Sequence, residues 1–119
     1  MIDRIASNLA DIEAHYTAVV VGSGYGAGVA ASRLARAGQR VAVLERGREI
    51  RPGEYPDDLG SAGAELQANG ERGRVGAADG LFELHLNRDM LAVVGCGLGG
   101  TSLINANVAL EMDPRLFAA

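Results

Sequence analysis

Residues 18–21, Ala-Val-Val-Val, run without a break into Gly22-Ser23-Gly24-Tyr25-Gly26-Ala27, and a helix-forming stretch begins at once. An apolar strand, a glycine turn and a helix N-terminus in that order leave few folds open. They form the first half of a βαβ unit, whose turn aims backbone N–H groups at an anion, most often a pyrophosphate. Each small residue has its own task. Gly22 permits the tight turn out of a strand predicted to be buried. Gly24 lacks a β-carbon, so the backbone can come close to the phosphates. Ala27 fills the third position of G-x-G-x-x-G/A, where only a small side chain lets the helix pack on the strand. Gly26 and Gly28 add further room.

A glycine fingerprint is weak evidence unless a strand precedes it and a helix follows. Here the pattern predicts a strand over 17–21 and a helix over 27–37. Ala30, Ala31, Leu34 and Ala37 fall on the face expected to be buried, while Arg33, Arg36 and Arg40 point to solvent. Gly38 is placed to end the helix. A second apolar run, 41–44, reads as the next parallel strand and ends in Glu45. Glu45 follows Gly22 at close to the ~20 residues expected of the acidic group that holds a ribose. Its carboxylate accepts from ribose hydroxyls and repels a 2′-phosphate. That points to the AMP moiety of FAD or NAD and away from NADP. The plainer alternative is an ordinary βαβ unit with a solvated glutamate at a strand end.

The chain has 119 residues, room for one small domain, and 48% of them are apolar, enough for a core. A net charge of −4 argues against nucleic acid as a partner. One cysteine excludes an internal disulfide framework and fits a reducing compartment, so a cytoplasmic location is expected. No apolar stretch approaches the ~18 residues of a membrane span. Residues 1–16 carry Asp3, Arg4, Asp11 and Glu13, read as a lead-in rather than a secretory signal.

After Glu45 the chain becomes charged and turn-rich. Residues 46–80 read as a long excursion with one short helix near 59–68, then an irregular path through Gly70, Gly73, Gly76 and Gly80. Residues 81–86 and 90–94, joined by Asn87-Arg88-Asp89, read as a hairpin. His85 reads as a surface or edge-strand residue. With His15 and Cys96 it makes no convincing metal site.

A second glycine cluster, Gly95-Cys96-Gly97-Leu98-Gly99-Gly100-Thr101-Ser102, also follows an apolar strand and opens a segment, 101–107, with helical character. Its amides suit an anionic or polarised group. Thr101 and Ser102 can donate or cap, and Asn105 and Asn107 are polar groups among apolar neighbours. A tight bend with caps is the simpler reading. Two glycine turns in one chain point instead to a large cofactor touched at both ends. Cys96 reads as a buried small apolar residue, not a nucleophile.

The two glycine segments, 22–27 and 95–106, with Leu44-Glu45-Arg46-Gly47 between them, resemble the N-terminal part of glucose–methanol–choline (GMC) oxidoreductases, in particular the cholesterol-oxidase-like branch. The similarity runs over 17–113. It implies an α/β Rossmann-like FAD-binding fold, incomplete here, with 17–119 as a partial FAD-binding domain. It implies FAD, with Gly22, Gly24, Tyr25, Gly26 and Ala27 around the pyrophosphate and Glu45 and Arg46 at the adenosine ribose. Gly97, Gly99, Gly100 and Ser102 would lie along the flavin side, with Asn105 and Ala106 beside the ring. The implied chemistry is oxidation of a small-molecule alcohol or sterol by hydride transfer to the flavin.

Family members with covalent flavin carry a histidine near the second glycine segment. None lies between 95 and 119, so the FAD is expected to be non-covalent. The family's catalytic histidine lies far downstream in a longer chain. No catalytic residue is therefore assigned, and this chain is expected to be a part of a longer gene product, inactive alone, whose sheet has an open edge. Two other readings remain: a segment of another two-dinucleotide-fold flavoprotein such as a ketosteroid dehydrogenase, or a non-catalytic NAD- or nucleotide-binding module.

Overall fold

A computed structural model describes residues 4–71, 73–106 and 108–117. It is an α/β structure built on two sheets. Strand β1 (Ala18–Val21) and strand β2 (Val41–Leu44) pair in parallel, Ala18 opposite Val41 and Val21 opposite Leu44, and helix α1 (Tyr25–Arg36) crosses between them. This is the predicted βαβ unit.

Helix α1 starts two residues before the apolar pattern suggests. Gly24 is its N-cap, and the Gly28 N–H donates to the Gly24 carbonyl at 2.8 Å. The pattern misses this turn because glycine contributes neither propensity nor periodicity. The C-terminal stop is as predicted in kind: Gly38 (φ +78°) donates to the Ala35 carbonyl and Gln39 to the Leu34 carbonyl. That pair of bonds is a Schellman motif, whose left-handed residue favours glycine.

The expected burial of this unit is corrected. Val19 and Val21 on β1 and Val43 and Leu44 on β2 are exposed, and α1 has no fully buried residue. Ala27, Ala31 and Leu34 are half-buried, whereas Ala30 and Ala37 are exposed. A two-stranded sheet offers one helix only a narrow strip to pack on, so the apolar pattern exceeds the surface available to cover it. Both outer edges of the pair are unpartnered among the described residues.

The excursion holds more order than its composition suggests. Helix α2 (Leu59–Ala64) is capped by Asp58, which accepts from the N–H groups of Gly60 and Ser61. It ends before 68 because strand β3 (Leu66–Gly70) begins there. β3 turns into β4 (Gly73–Gly76), so the path through these glycines is a hairpin rather than irregular. The predicted second hairpin is present as β5 (Phe82–Leu86) and β6 (Leu91–Gly95). The four strands form one sheet in the order β4-β3-β5-β6, with β3 and β5 parallel. His85 therefore sits on an interior strand, not an edge, though its side chain is 41% exposed, as a surface residue's would be, and it lies 3.6 Å from Glu83.

Gln67 and Asn69 on β3 share a face with Glu83 and His85 on β5, opposite which they are registered. This polar face is the inward one: Gln67 is 1% exposed and Glu83 6%. The Gln67 amide donates to the Gly80 carbonyl at 2.7 Å, and Asn69 donates to Glu83. Among the described residues the small apolar core is Ile50, Leu81 and Cys96, and the Cys96 N–H donates to the Leu81 carbonyl at 2.9 Å. Cys96 is buried, as its reading as a small apolar residue expects. Residues 4–16 are tied to the excursion, with Arg4 bridging to Glu54 and the Ala6 N–H donating to Glu49.

Candidate functional site

The first glycine turn is held at its root by the Gly22 N–H, which donates to the Leu44 carbonyl at 2.7 Å and ties the turn to the end of β2. Gly22 has φ +88° and Gly24 an extended conformation. The first N–H groups of any helix have no intrahelical acceptor, so the first turn of α1, including Tyr25, Gly26 and Ala27, offers donors beside Gly24. A β-carbon built on Gly22, Gly24, Gly26 or Gly28 would meet nothing within 4 Å. The space beside the turn is therefore open, next to donors of the kind that a pyrophosphate requires.

Ser23, between the two glycines, ties three segments together. Its hydroxyl donates to Glu45 Oε2 at 2.6 Å and accepts from the Gly99 N–H at 2.8 Å. The other carboxylate oxygen of Glu45 accepts from the Gly47 N–H at 2.8 Å. Gly47 in turn abuts Gly97, and the Leu98 N–H donates to the Arg48 carbonyl at 3.0 Å. A β-carbon on Gly100 would stand 3.0 Å from the Gly24 Cα, so the two glycine turns are in backbone contact. At the far side Asn105 Nδ2 donates to the Tyr25 hydroxyl and to the Val108 carbonyl, both at 3.3 Å.

Gly22, Gly24, Tyr25, Gly26, Ala27, Glu45, Gly97, Gly99, Gly100, Ser102 and Asn105 are thereby gathered in one region. Arg46 is directed elsewhere: its guanidinium binds Glu83 and Gln67 on the second sheet. Ala106 lies just past the second turn with φ +53°.

The second glycine turn differs from its predicted form. Residues Gly100–Ile104 make a 3-10 helix of five residues, after Gly99 in the left-handed region. This is too short for the helix-dipole contribution expected of 101–107. Asn107 lies outside the described residues. Ser102 does not cap a helix N-terminus; its hydroxyl donates to the Gly99 carbonyl at 2.8 Å and closes the turn on itself. Thr101 accepts from the Gly95 N–H and anchors the turn to β6.

An open cavity of about 590 Å³ lies where the turns meet, bordered by Ser23, Gly24, Tyr25, Gly99 and Ser102 and extending along the outer face of α1. Its volume is within the range of small-molecule and cofactor sites. The wall behind Gly97 is braced by Arg48, whose guanidinium pairs with Glu65. The hydrogen bond from Arg48 holds the Glu65 carboxyl below the usual range, against a smaller opposing effect of burial, and the Leu81 N–H adds to the lowering. Among the described residues no cluster of histidine, cysteine and carboxylate groups is arranged to hold a metal. Likewise none of their helices is long and apolar enough to cross a membrane.

Sequence reasoning did not single out Ser23, or Glu83, which receives Arg46. For Ser23 the available signal was a hydroxyl at the variable position inside G-x-G, next to a turn whose N–H groups face outward. For Glu83 it was a lone acid in a strand whose other residues, His85 apart, are apolar.

A family model described as pyridine nucleotide-disulphide oxidoreductase matches residues 17–69. A cholesterol oxidase of Mycobacterium tuberculosis (strain ATCC 25618 / H37Rv) is 36% identical over 104 residues, which is 87% of this chain and 17% of that protein. The long-chain-alcohol oxidase FAO3 of Arabidopsis thaliana is 38% identical over 93 residues, 78% of this chain and 11% of its own length. The long-chain-alcohol oxidase FAO4B of the same plant is 37% identical over 94 residues, 79% of this chain and 11% of its own. The chain thus spans 17% or less of the length of these relatives. Over the aligned residues, the similarity to the N-terminal part of GMC oxidoreductases and their cholesterol-oxidase-like branch holds, as does the Rossmann-like dinucleotide-binding character.

Proposed function

We propose that this chain, similar in sequence to the N-terminal part of GMC oxidoreductases, is the FAD-binding segment of a flavin-dependent oxidoreductase acting on the CH–OH group of an alcohol or sterol. The observation that carries the reading is the meeting of both glycine turns and Glu45 through Ser23. In it, Gly22, Gly24 and the first turn of α1 (Tyr25, Gly26, Ala27) hold the pyrophosphate, and Glu45 accepts from the adenosine ribose, with Arg46 steadying the strand end. Gly97, Gly99, Gly100 and Ser102 form the wall along the flavin, with Asn105 and Ala106 at the ring. FAD, when bound, supplies the hydride acceptor. The protein's own residues bind it, orient it and exclude a 2′-phosphorylated competitor.

Attachment is non-covalent, since residues 95–119 hold no histidine, the location is cytoplasmic, and the segment by itself does not turn over substrate. The first turn alone would equally serve another two-dinucleotide-fold flavoprotein or a nucleotide-binding module. The cholesterol oxidase similarity, over 87% of the chain, takes in the second turn as well and favours the alcohol and sterol reading.

Titration of FAD into the chain, followed by quenching of flavin fluorescence and by the visible absorption of the bound flavin, tests the reading. Saturable binding of FAD with no binding of NADP is expected, and addition of a long-chain alcohol or a sterol leaves the flavin oxidised. A chain that binds NAD in calorimetry and leaves FAD free would overturn it.

A further inference from the structure

We infer that Ser23 is the positioning residue that sets the ribose specificity of this site and couples it to the second glycine turn; the inference rests on the dinucleotide-binding reading above. A serine hydroxyl has one proton and two lone pairs. The Gly99 nitrogen, 2.8 Å away, can only donate, so it takes a lone pair of Oγ. The proton is left to choose between Glu45 Oε2 at 2.6 Å and the Gly97 carbonyl at 3.4 Å. The shorter, charge-assisted bond to the carboxylate is the stronger.

Glu45 is thereby gripped on both oxygens, by Ser23 on one and by the Gly47 N–H on the other. An ionised carboxylate has about four lone-pair sites. Two are used by the chain and two remain, one for each hydroxyl of a ribose. Because both anchors are short, the carboxylate plane cannot turn away, and its charge stays where a 2′-phosphate would have to sit. Without the Ser23 hydroxyl the side chain pivots on Gly47 alone and can swing clear of such a phosphate. The same substitution leaves the partly buried Gly99 N–H without its acceptor and frees the turn at 97–100, at the flavin end of the cofactor.

The test uses the whole chain and four variants, S23A, S23T, S23V and E45Q, titrated by calorimetry with ADP, 2′-phospho-ADP and FAD. Wild type is expected to prefer ADP over its 2′-phosphorylated form. S23A is expected to narrow that preference by roughly tenfold, the scale of one hydrogen bond to a charged group. It should also weaken FAD more than ADP, since FAD reaches both turns. The near-isosteric pair S23T and S23V decides the matter if S23A folds poorly, since only S23T keeps a hydroxyl: S23T retains the preference and S23V loses it. Equal weakening of ADP and 2′-phospho-ADP in S23A, or equal behaviour of S23T and S23V, shows a merely structural role and overturns the inference. Failure of wild type to bind FAD while ADP binds with the stated preference overturns the flavin reading and leaves Ser23 standing. An ADP preference in wild type that E45Q does not reduce overturns the assignment of Glu45, and of Ser23 with it.

Discussion

Gly47 and Gly97 meet backbone to backbone: a β-carbon on Gly47 would lie 2.5 Å from the Gly97 Cα and closer still to its nitrogen. This contact sets the segment after β2 against the second glycine segment, where the Leu98 N–H also donates to the Arg48 carbonyl. Gly47→Ala must therefore separate two backbones that have no flexible side chain to yield. Overpacking of this kind costs typically ~1–3 kcal/mol, and the high end is expected because the obstacle is main chain. Urea denaturation followed by circular dichroism should show the midpoint fall. FAD affinity should fall with it, since Gly99 is drawn away from Ser23. An unchanged midpoint would mean that the two segments do not meet in this way.

Gly24→Val makes the opposite case. Gly24 has φ −64°, which any residue tolerates, and a β-carbon there meets nothing within 4 Å. The fold should accept valine at a cost of well under ~2 kcal/mol, the upper end for a poor N-cap residue. The phosphate approach should not accept it, because the branched side chain occupies the open space beside the turn. The expected result is a folded protein, by circular dichroism, that no longer binds FAD. Retention of wild-type flavin affinity in this variant would displace the pyrophosphate from the turn.

The contrast between these two glycines marks how far the sequence can be read. The first turn, α1, β2 and the hairpin β5–β6 were legible because each is written in local chemistry: glycines at fixed offsets, a Schellman glycine at 38, alternating apolar residues about a polar turn. Strand β3 was not. Leu66-Gln67-Ala68-Asn69-Gly70 has little strand propensity, and it is held by side-chain bonds from Gln67 to Gly80 and from Asn69 to Glu83, which only the folded chain brings together. Burial of 18–21 was overestimated for a related reason. Hydrophobicity tells what a strand can bury, whereas the surface that covers it is set by how many strands and helices surround it. Ser23 was invisible because a hydroxyl between two glycines has no evident purpose until Glu45 and Gly99 are placed beside it.

Acid should weaken the brace behind the site. The Glu65 carboxyl is held below its ordinary range chiefly by the hydrogen bond from Arg48, and Leu81 N–H adds to it. A carboxyl depressed in the folded state contributes stability that is fully present above its unfolded value, about 4.3. That contribution is lost as pH falls from there through the lower folded value. Unfolding midpoints should therefore be flat from neutrality to about pH 5 and decline below it. Glu65→Gln should be less stable at neutral pH and should decline less steeply in acid, with the two curves converging. Parallel curves would show that Glu65 does not contribute to the acid response.

Arg46 and Glu83 offer the sharpest test of how the two sheets are joined. Glu83 is 6% exposed and accepts from Arg46 and Asn69, with Arg74 at 3.5 Å and His85 at 3.6 Å. Arg46, by contrast, is 43% exposed along its side chain and can regain water if its partner is lost. The two ends of the pair are thus unequal. Removing the arginine leaves a buried carboxylate short of its nearest cation, a loss of roughly 1–3 kcal/mol. Replacing the acid by its amide removes the charge that needed the cation and keeps a group able to accept from Asn69. Arg46→Met should therefore destabilise more than Glu83→Gln, and the double variant should be more stable than the sum of the two predicts, by an interaction energy within the ~0.5–3 kcal/mol seen for contacting pairs. Added salt should change this coupling little, since the carboxylate is shielded from solvent. Because Arg46 adjoins Glu45, Arg46→Met should also weaken FAD binding, and Glu83→Gln in the same chain should restore part of it. Strictly additive losses of stability would show that the pair does not join the sheets.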